Sequence, residues 1–157
     1  MAGSFLGPDT SSLAEETYLE LMGFSFESAH LTHTKEKGSY GLHGHTFNVK
    51  LRIWGEPDPD TYIIVDVSLV REILEEIIQE FDHKVIIGSS QTELQSMLER
   101  LSLQYAVLPY PQASMEALSR HIGRLLWEKL GSNYNVKAVE TCVSQGLEEY
   151  ACYKIGI

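Results

Sequence analysis

Three histidines within one short stretch are the residues of this sequence best suited to bind a metal ion. His43 and His45 flank Gly44 at the entrance to a predicted strand, so both imidazoles project from one face. His30 ends a preceding apolar row and can supply a third neutral nitrogen, which leaves one open position, as in catalytic zinc sites. The alternative is that these are ordinary polar residues at strand ends, since a lone His-x-His occurs often by chance. The set of three favours a metal site without identifying the metal.

Three other residues carry ionisable groups in informative places. Glu140 shares a strand face with Val136 and Ala138, where a buried carboxylate needs a partner. Either it faces solvent, or it binds a donor-rich ligand such as a guanidine-like ring edge with two parallel N–H groups. Asp82 and His83 directly follow a predicted helix. Because adjacent side chains seldom hydrogen-bond to each other, these two residues alone indicate only a helix C-terminus, where the dipole favours histidine.

Hydrophobic periodicity predicts the elements that must position these residues. Alternation over 17–30 and over 43–53 predicts two strands, and the second ends at a turn beginning with Gly55. Residues 62–65 form a short β-branched run, after which the period of the pattern changes. Helical spacing then predicts a helix from about Val67 to Phe81, with Asp66 as its N-cap.

The second half of the chain is predicted to contain a helix followed by two strands. The segment 88–112 is weakly patterned, although 93–103 fits a short extra helix. The main helix has Ser114 near its start and Gly131 at its end, and strands 135–143 and 147–155 follow. The order β-β, helix, helix, β-β predicts an α+β fold with an antiparallel sheet and helices on one face. Its four main strands leave edges that an oligomer could pair.

Length and charge limit the classes of function. The 157 residues are expected to form one domain, residues 16–157, after a mobile tail of residues 1–15. The formal net charge of −10 argues against a general nucleic-acid or anionic-membrane binder, although a phosphorylated small molecule could meet local cations. A domain this small has little interior for a substrate, so a site shared between subunits is expected.

The two cysteines, Cys142 and Cys152, are too few for a disulfide framework. We expect them to be reduced, buried strand residues. The sequence shows neither an apolar run of membrane-spanning length nor a secretory signal pattern, so a cytoplasmic location is expected.

Five short motifs occur in an order that resembles a known family. They are FSFESAH, LHGHTFNVKLRIWGEPDPDT, FDHK, ASMEAL and VKAVETC. Together they resemble the 6-pyruvoyltetrahydropterin synthase family, which includes the 6-carboxytetrahydropterin synthases of queuosine biosynthesis. The resemblance runs from about Phe24 to Tyr153.

The resemblance implies a tunnelling fold of ββααββ subunits whose sheets join into a trimeric β-barrel, commonly stacked as a hexamer. The implied substrate is 7,8-dihydroneopterin triphosphate, with sites at subunit interfaces. Matching the motifs residue by residue implies roles for ten positions. The zinc ligands would be His30, His43 and His45. The substrate-binding residues would be Glu140, Thr141, Ser114 and Glu116, and the proton-transfer residues would be Asp82, His83 and Ser39.

One position departs from the family pattern. Members of both named activities carry a catalytic cysteine a few residues before the HGH, whereas this chain reads KEKGSYGLHGH. Ser39 aligns nearest to that cysteine, and an unactivated hydroxyl is a far poorer base than a thiolate. Some relatives use a glutamate here, but Glu36 does not match its spacing cleanly. The product therefore stays open between a 6-pyruvoyl, a 6-carboxy and a 6-hydroxymethyl pterin, and a non-catalytic zinc and pterin binder is the alternative.

Overall fold

A six-stranded sheet and three helices make up the structure, a computed structural model that describes residues 15–132 and 134–157. The sheet order is β4-β3-β1-β2-β5-β6. In chain order the elements are β1 (Tyr18–Thr34), β2 (Gly38–Gly55), α1 (Val67–Gln79), β3 (Lys84–Gly88), α2 (Thr92–Arg100), β4 (Tyr105–Leu108), α3 (Met115–Leu130), β5 (Val136–Ser144) and β6 (Ala151–Gly156). The predicted α+β class is confirmed. Of the predicted N-terminal tail, residues 1–14 lie outside the described range.

The long β1–β2 hairpin forms the centre of the sheet and carries the predicted alternation. Phe47, Leu51 and Ile53 are fully buried on one face of β2, and Phe26 on β1 is 2% exposed beside them. Strand β5 pairs with β2 antiparallel, and β6 pairs with β5 in the same sense. The histidines therefore continue, at one end of the hairpin, the row of side chains that forms the core.

Helices α1 and α3 cover that apolar face. Asp66 caps α1 by accepting hydrogen bonds from the backbone N–H groups of Ser68 and Leu69, as predicted. Ser114 caps α3 by accepting from the N–H of Ala117. At Gly123 an added Cβ would lie 2.9 Å from the Tyr153 ring, so the glycine permits close contact between α3 and the sheet.

The expectation of four strands is wrong. The sheet has six strands rather than four, because β3 and β4 add to its edge in parallel with β1. Residues 62–65 do not form a strand: Tyr62 has a positive φ of 59° and donates its N–H to Asp58 O within a tight turn. The short extra helix suggested by the spacing over 93–103 is present as α2, which makes three helices in the described residues. No helix in residues 15–132 and 134–157 has the length and apolar character needed to cross a bilayer.

The expectation of two reduced, buried cysteines is also wrong. Cys142 and Cys152 form a disulfide. They face each other directly in the antiparallel β5–β6 register, with their Cα atoms 4.0 Å apart. Cys142 is buried, whereas Cys152 is exposed on the edge strand.

Candidate metal centre

The β1–β2 hairpin brings the three predicted histidines into one cluster. His30 lies directly opposite His43 in the register, and Ser28 lies opposite His45, so the third ring follows on the same face. The Nε2 atoms of His30 and His43 are 3.2 Å apart. One ring nitrogen from each of the three residues lies within 4.8 Å of the other two, a spacing at which they can share a metal ion. The cluster is thus formed locally by strand alternation and hairpin register.

The hydrogen bonds of the outer ring nitrogens fix the tautomers of two of these histidines. His30 Nδ1 lies 2.6 Å from the carbonyl oxygen of Ala113, and His43 Nδ1 lies 2.9 Å from that of Gly41. A carbonyl oxygen only accepts, so each Nδ1 carries the proton. In the neutral rings both Nε2 atoms then present lone pairs to each other across 3.2 Å. A cation between them relieves this repulsion, and carbonyl partners of this kind orient metal-binding histidines.

The third histidine and the burial of the cluster also fit a metal ion. His45 Nε2 is buried and has no hydrogen-bond partner within the described part of the chain. Burial lowers the pKa of His30 and of His45 below the usual 6.5, which favours the neutral, metal-binding form of both rings. Three neutral imidazole nitrogens with an open side are the donor set of a catalytic zinc site, so these residues fit zinc.

A cleft of about 590 Å³ opens over the histidine cluster. Ser114 and Glu116, predicted from the ASMEAL motif, both line it at the start of α3. Six further polar residues line the cleft without having been indicated by the sequence pattern, and they come from the hairpin end and from two loops: Thr32, His33, Thr34, Tyr40, Gln112 and Gln145.

His33 has the wrong parity to share a face with His30 in a regular strand. A register shift between Leu31 and His33 breaks the alternation there. The side chain of Gln112 then holds this segment, because it accepts from the His33 N–H at 3.0 Å and donates to the His33 carbonyl at 3.1 Å. A bulge of this kind leaves no clear pattern in the sequence.

Ser39, the residue aligned nearest to the missing cysteine, lies outside the lining of this cleft as far as the described residues define it. It is exposed, and it faces His33 across the hairpin register. Its Oγ accepts a hydrogen bond from the Gly41 N–H at 3.1 Å. The hydroxyl is therefore engaged with the backbone of its own strand.

Asp82 and His83 do pair side chain to side chain, contrary to the expectation for adjacent residues. His83 Nδ1 and Asp82 Oδ2 are 2.9 Å apart. A positive φ of 57° at His83 turns its ring back toward the carboxylate. Glu27 anchors the turn, since its N–H donates to Asp82 Oδ1 and its carbonyl accepts from the His83 N–H.

This aspartate–histidine dyad lies apart from the cleft over the histidine cluster. Backbone donation from Glu27, followed by the His83 ring, lowers the pKa of Asp82 below its usual 3.8 and keeps it ionised. The His83 side chain is 77% exposed. Neither residue appears in the cleft lining of the described chain.

Glu140 lies on the face of the sheet opposite to the histidines. It is registered against Arg52, whose parity in β2 is opposite to that of His43 and His45. Arg52 Nη1 lies 3.4 Å from Glu140 Oε1, and its Nε lies 3.1 Å from Glu20. Glu140 is thus a partly buried, paired carboxylate whose side chain is 19% exposed.

Thr141 points the other way, into the core below α3. Its side chain is buried beside Gly123, and its Oγ1 has no hydrogen-bond partner among residues 15–132 and 134–157. A single chain therefore brings Ser114 and Glu116 to the histidine cluster, but not Glu140, Thr141 or the dyad.

The family profile and the curated relatives that match this sequence agree on one protein family. The sequence profile of 6-pyruvoyl tetrahydropterin synthase matches residues 21–154. A Methanocaldococcus jannaschii protein, provisionally named 6-carboxy-5,6,7,8-tetrahydropterin synthase, is 24% identical in an alignment of 148 residues that covers 84% of this chain and 90% of that protein. A Pyrococcus abyssi protein with the same provisional name is 26% identical over 137 residues, covering 80% of this chain and 83% of that protein.

Solved structures share the fold. A 6-pyruvoyltetrahydropterin synthase from Plasmodium vivax, in which a catalytic glutamate is replaced by alanine, superposes with a TM-score of 0.76 at 22% identity. The Plasmodium falciparum 6-pyruvoyl tetrahydropterin synthase gives 0.76 at 21% identity. Each comparison covers 92% of this chain and 100% of the other. The six-stranded sheet with three helices is thus the fold of these synthases.

Proposed function

Because the chain belongs to the 6-pyruvoyl tetrahydropterin synthase family, we propose that it is a zinc-dependent lyase. Its proposed substrate is 7,8-dihydroneopterin triphosphate or a close dihydropterin, converted to a 6-pyruvoyl or 6-carboxy product. The convergence of one ring nitrogen from each of three histidines, two of them with their tautomers fixed, carries the proposal. The provisional names of the two archaeal relatives support the 6-carboxy variant.

In this proposal His30, His43 and His45 hold the zinc ion. The ion supplies Lewis-acid polarisation of a substrate oxygen. The carbonyl groups of Ala113 and Gly41 orient two of its ligands. Ser114 and Glu116 lie at the start of α3 and contact the substrate from the same cleft.

Glu140 is the proposed anchor for the amino-pyrimidine edge of the pterin. A carboxylate can accept two parallel N–H groups from that edge, and the contact with Arg52 orients Glu140. The Thr141 hydroxyl is buried against α3. We therefore propose that Thr141 supports Glu140 from the far side of the strand.

Proton transfer is assigned to the Asp82–His83 dyad. Asp82 accepts the Nδ1 proton of His83, which leaves Nε2 of the exposed ring available for exchange with a substrate. The catalytic residue replaced in the P. vivax variant is a glutamate, so a carboxylate takes a catalytic role in that protein. In this chain Glu116 is a carboxylate in the cleft, whereas Glu36 lies exposed in the β1–β2 turn.

There are two alternatives to this proposal: an enzyme that forms a different product, and a protein without enzymatic activity. Cleavage of the substrate side chain would give 6-hydroxymethyldihydropterin. A non-catalytic zinc and pterin binder is favoured by the position of Ser39, whose hydroxyl is engaged with Gly41 and lies outside the described cleft lining.

The deciding experiment incubates zinc-loaded protein with 7,8-dihydroneopterin triphosphate and separates the products by chromatography. A 6-pyruvoyl or 6-carboxy product supports the lyase, and a 6-hydroxymethyl product supports side-chain cleavage. Tight pterin binding without turnover overturns the lyase. Ser39→Cys, with Ser39→Ala as its matched control, then tests whether the protein has lost its catalytic base. Activity gained only by the cysteine variant identifies a pterin binder that has lost this base.

A further inference from the structure

We propose that the Cys142–Cys152 disulfide is a redox modification site, which exchanges with small thiols at Cys152 and thereby controls the availability of Glu140. The second half of this inference rests on the proposed function, in which Glu140 anchors the pterin. The first half rests on the arrangement of the disulfide alone.

Two neighbouring cross-strand rows carry the inference. One row runs Lys50, Cys142, Cys152, and the next runs Arg52, Glu140, Lys154. The rows belong to the same face of the sheet, because their β5 members are two residues apart. The two rows hold three cations, Lys50, Arg52 and Lys154, and one carboxylate, Glu140. Nearby cations favour thiolates and so promote thiol–disulfide exchange.

Both lysines are held over aromatic rings. Lys50 Nζ lies 4.2 Å from the ring centre of Tyr150, and Lys154 Nζ lies 3.7 Å from that of Trp54. Such contacts restrict the lysine side chains to this face of the sheet. The charges of Lys50 and Lys154 are therefore held in place by these ring contacts.

The two sulfur atoms differ in access. Cys142 is 3% exposed on the inner strand β5, whereas Cys152 is exposed on the edge strand β6. An incoming thiolate can reach Cys152 and displace the thiolate of Cys142. The sheet thus presents one sulfur for attack and shields the other.

The disulfide closes a short loop between two strands that are already paired. The cysteines are separated by 10 residues, and six registered pairs hold β5 against β6. A loop of this length removes less entropy from the unfolded chain than a long one would. Stabilisation and thiol exchange at Cys152 are therefore compatible roles for this bond.

The exchange is a balanced two-electron reduction by a thiol such as glutathione. One thiolate attacks Cys152, forms a mixed disulfide and releases the Cys142 thiolate. A second thiolate attacks the mixed disulfide, so that two thiols become one small disulfide and both cysteines are freed. The two cysteine sulfurs take up protons from water.

Reduction changes the surroundings of Glu140. Cys142 Sγ lies 3.9 Å from Glu140 Oε1, within the distance range of a sulfur hydrogen bond. In the disulfide this sulfur has no proton, but as a thiol it donates to the carboxylate and competes with the N–H groups of a ligand. Reduction is therefore expected to weaken pterin binding roughly two- to tenfold.

The first experiment measures exchange on the folded protein, without any pterin. Cys142→Ser leaves only exposed Cys152, and Cys152→Ser leaves only buried Cys142. With glutathione disulfide, followed by mass spectrometry, we expect the Cys142→Ser variant to form its adduct at least ten times faster. In the wild type, millimolar glutathione should open the disulfide while the circular dichroism is unchanged. Equal adduct rates, or reduction only in denaturant, overturn the modification site.

The second experiment compares the affinity of oxidised and reduced wild type for 7,8-dihydroneopterin by calorimetry. The expected weakening should be absent in a Cys142→Ala, Cys152→Ala double variant treated with the same reductant. Equal affinity in both redox states of the wild type overturns the coupling to Glu140. If neither state binds the pterin, the proposed function fails, and the exchange rates still decide the modification site.

Discussion

At the scale of single residues, the position of two protons defines the candidate metal centre. The carbonyl groups of Ala113 and Gly41 require Nδ1–H on His30 and His43, so the facing Nε2 atoms are acceptors without a donor between them. Two facing lone pairs repel each other in a closed core, and a cation between them removes this repulsion. The geometry thus explains why these three histidines, rather than other polar residues, end the apolar rows of two strands.

Replacing His43 by alanine should remove zinc binding and leave the fold intact. The loss of affinity should exceed the roughly 10- to 100-fold change caused by removing an outer-shell partner, because a direct ligand is lost. Zinc content after dialysis measures the effect, and circular dichroism checks the fold. His33→Ala is the matched control, since His33 lines the same cleft outside the cluster. Equal zinc content in the His43 variant and the wild type would remove His43 from the ligand set.

Replacing Glu140 by glutamine should weaken pterin binding without loss of zinc. A neutral amide cannot form the charge-assisted pair, so we expect a loss of about tenfold or more in affinity. Calorimetry with a pterin and metal analysis measure the two effects separately. Glu20→Gln is the control, because Glu20 binds the same Arg52 without belonging to the proposed anchor. An unchanged affinity of the Glu140 variant for the pterin would exclude Glu140 from the site.

The sequence predicted the histidine cluster because regular alternation sets which side chains share a face. It could not predict His33, since the shift near Leu31 breaks the alternation. The contact between Asp82 and His83 depends on a positive φ that nothing in the residue types requires. The disulfide depends on the β5–β6 register, which the short turn between them left undetermined.

At the scale of elements, helix α1 begins where the sequence indicated. Asp66 Oδ1 accepts hydrogen bonds from the Ser68 hydroxyl at 2.6 Å and from the Ser68 N–H at 2.8 Å. These donors lower the pKa of Asp66 below its usual 3.8, with the hydroxyl making the largest contribution. A local signal of this kind is readable because cap, helix start and donors lie within a few residues of each other.

The Asp66 cap should make stability depend on pH in one direction. Its folded pKa lies below its unfolded pKa, so its stabilising contribution is complete above the unfolded value of about 3.8 and disappears as pH falls through the lower folded value. Asp66→Ala should therefore melt at a lower temperature than wild type at pH 7, and the difference should shrink below about pH 4. Thermal melts across this range measure it. Asp60→Ala, at a nearby exposed aspartate, should match the wild type throughout.

Strands β3 and β4 show where element prediction failed. Ile86, Ile87 and Leu108 are fully buried in them, so their short apolar runs lack the alternation that identifies a half-exposed strand. The β-branched run 62–65 forms no strand for a different reason. Its β-branched residues Ile64 and Val65 are buried in the core, but no neighbouring strand pairs with them among the described residues.

At the scale of the whole molecule, the proposed site residues occupy three separate places. The histidine cleft contains Ser114 and Glu116, Glu140 lies on the opposite sheet face, and the Asp82–His83 dyad is exposed at the start of β3. Strands β4 and β6 form the two edges of the sheet. If one substrate is to meet all of these groups, copies of the chain must face each other. We therefore propose a homotrimer or homohexamer with sites at subunit interfaces.

Subunit mixing tests whether one site uses residues of two copies. His43→Ala should abolish activity through the metal cluster, and His83→Ala should abolish it through the dyad, so each variant alone should be inactive. In mixed assemblies, some sites would combine an intact cluster from one copy with an intact dyad from another. We therefore expect co-expressed variants to recover activity well above either parent, with native mass spectrometry confirming that mixed oligomers form.

A second mixture provides the control for this experiment. His43→Ala and His45→Ala both damage the cluster, so no arrangement of their subunits contains an intact one, and activity should stay absent. If the His43 and His83 variants form mixed oligomers and also stay inactive, the cluster and the dyad must come from the same copy. The exposed dyad would then have to reach the cleft by a movement within one chain, because the two do not share a pocket in this conformation.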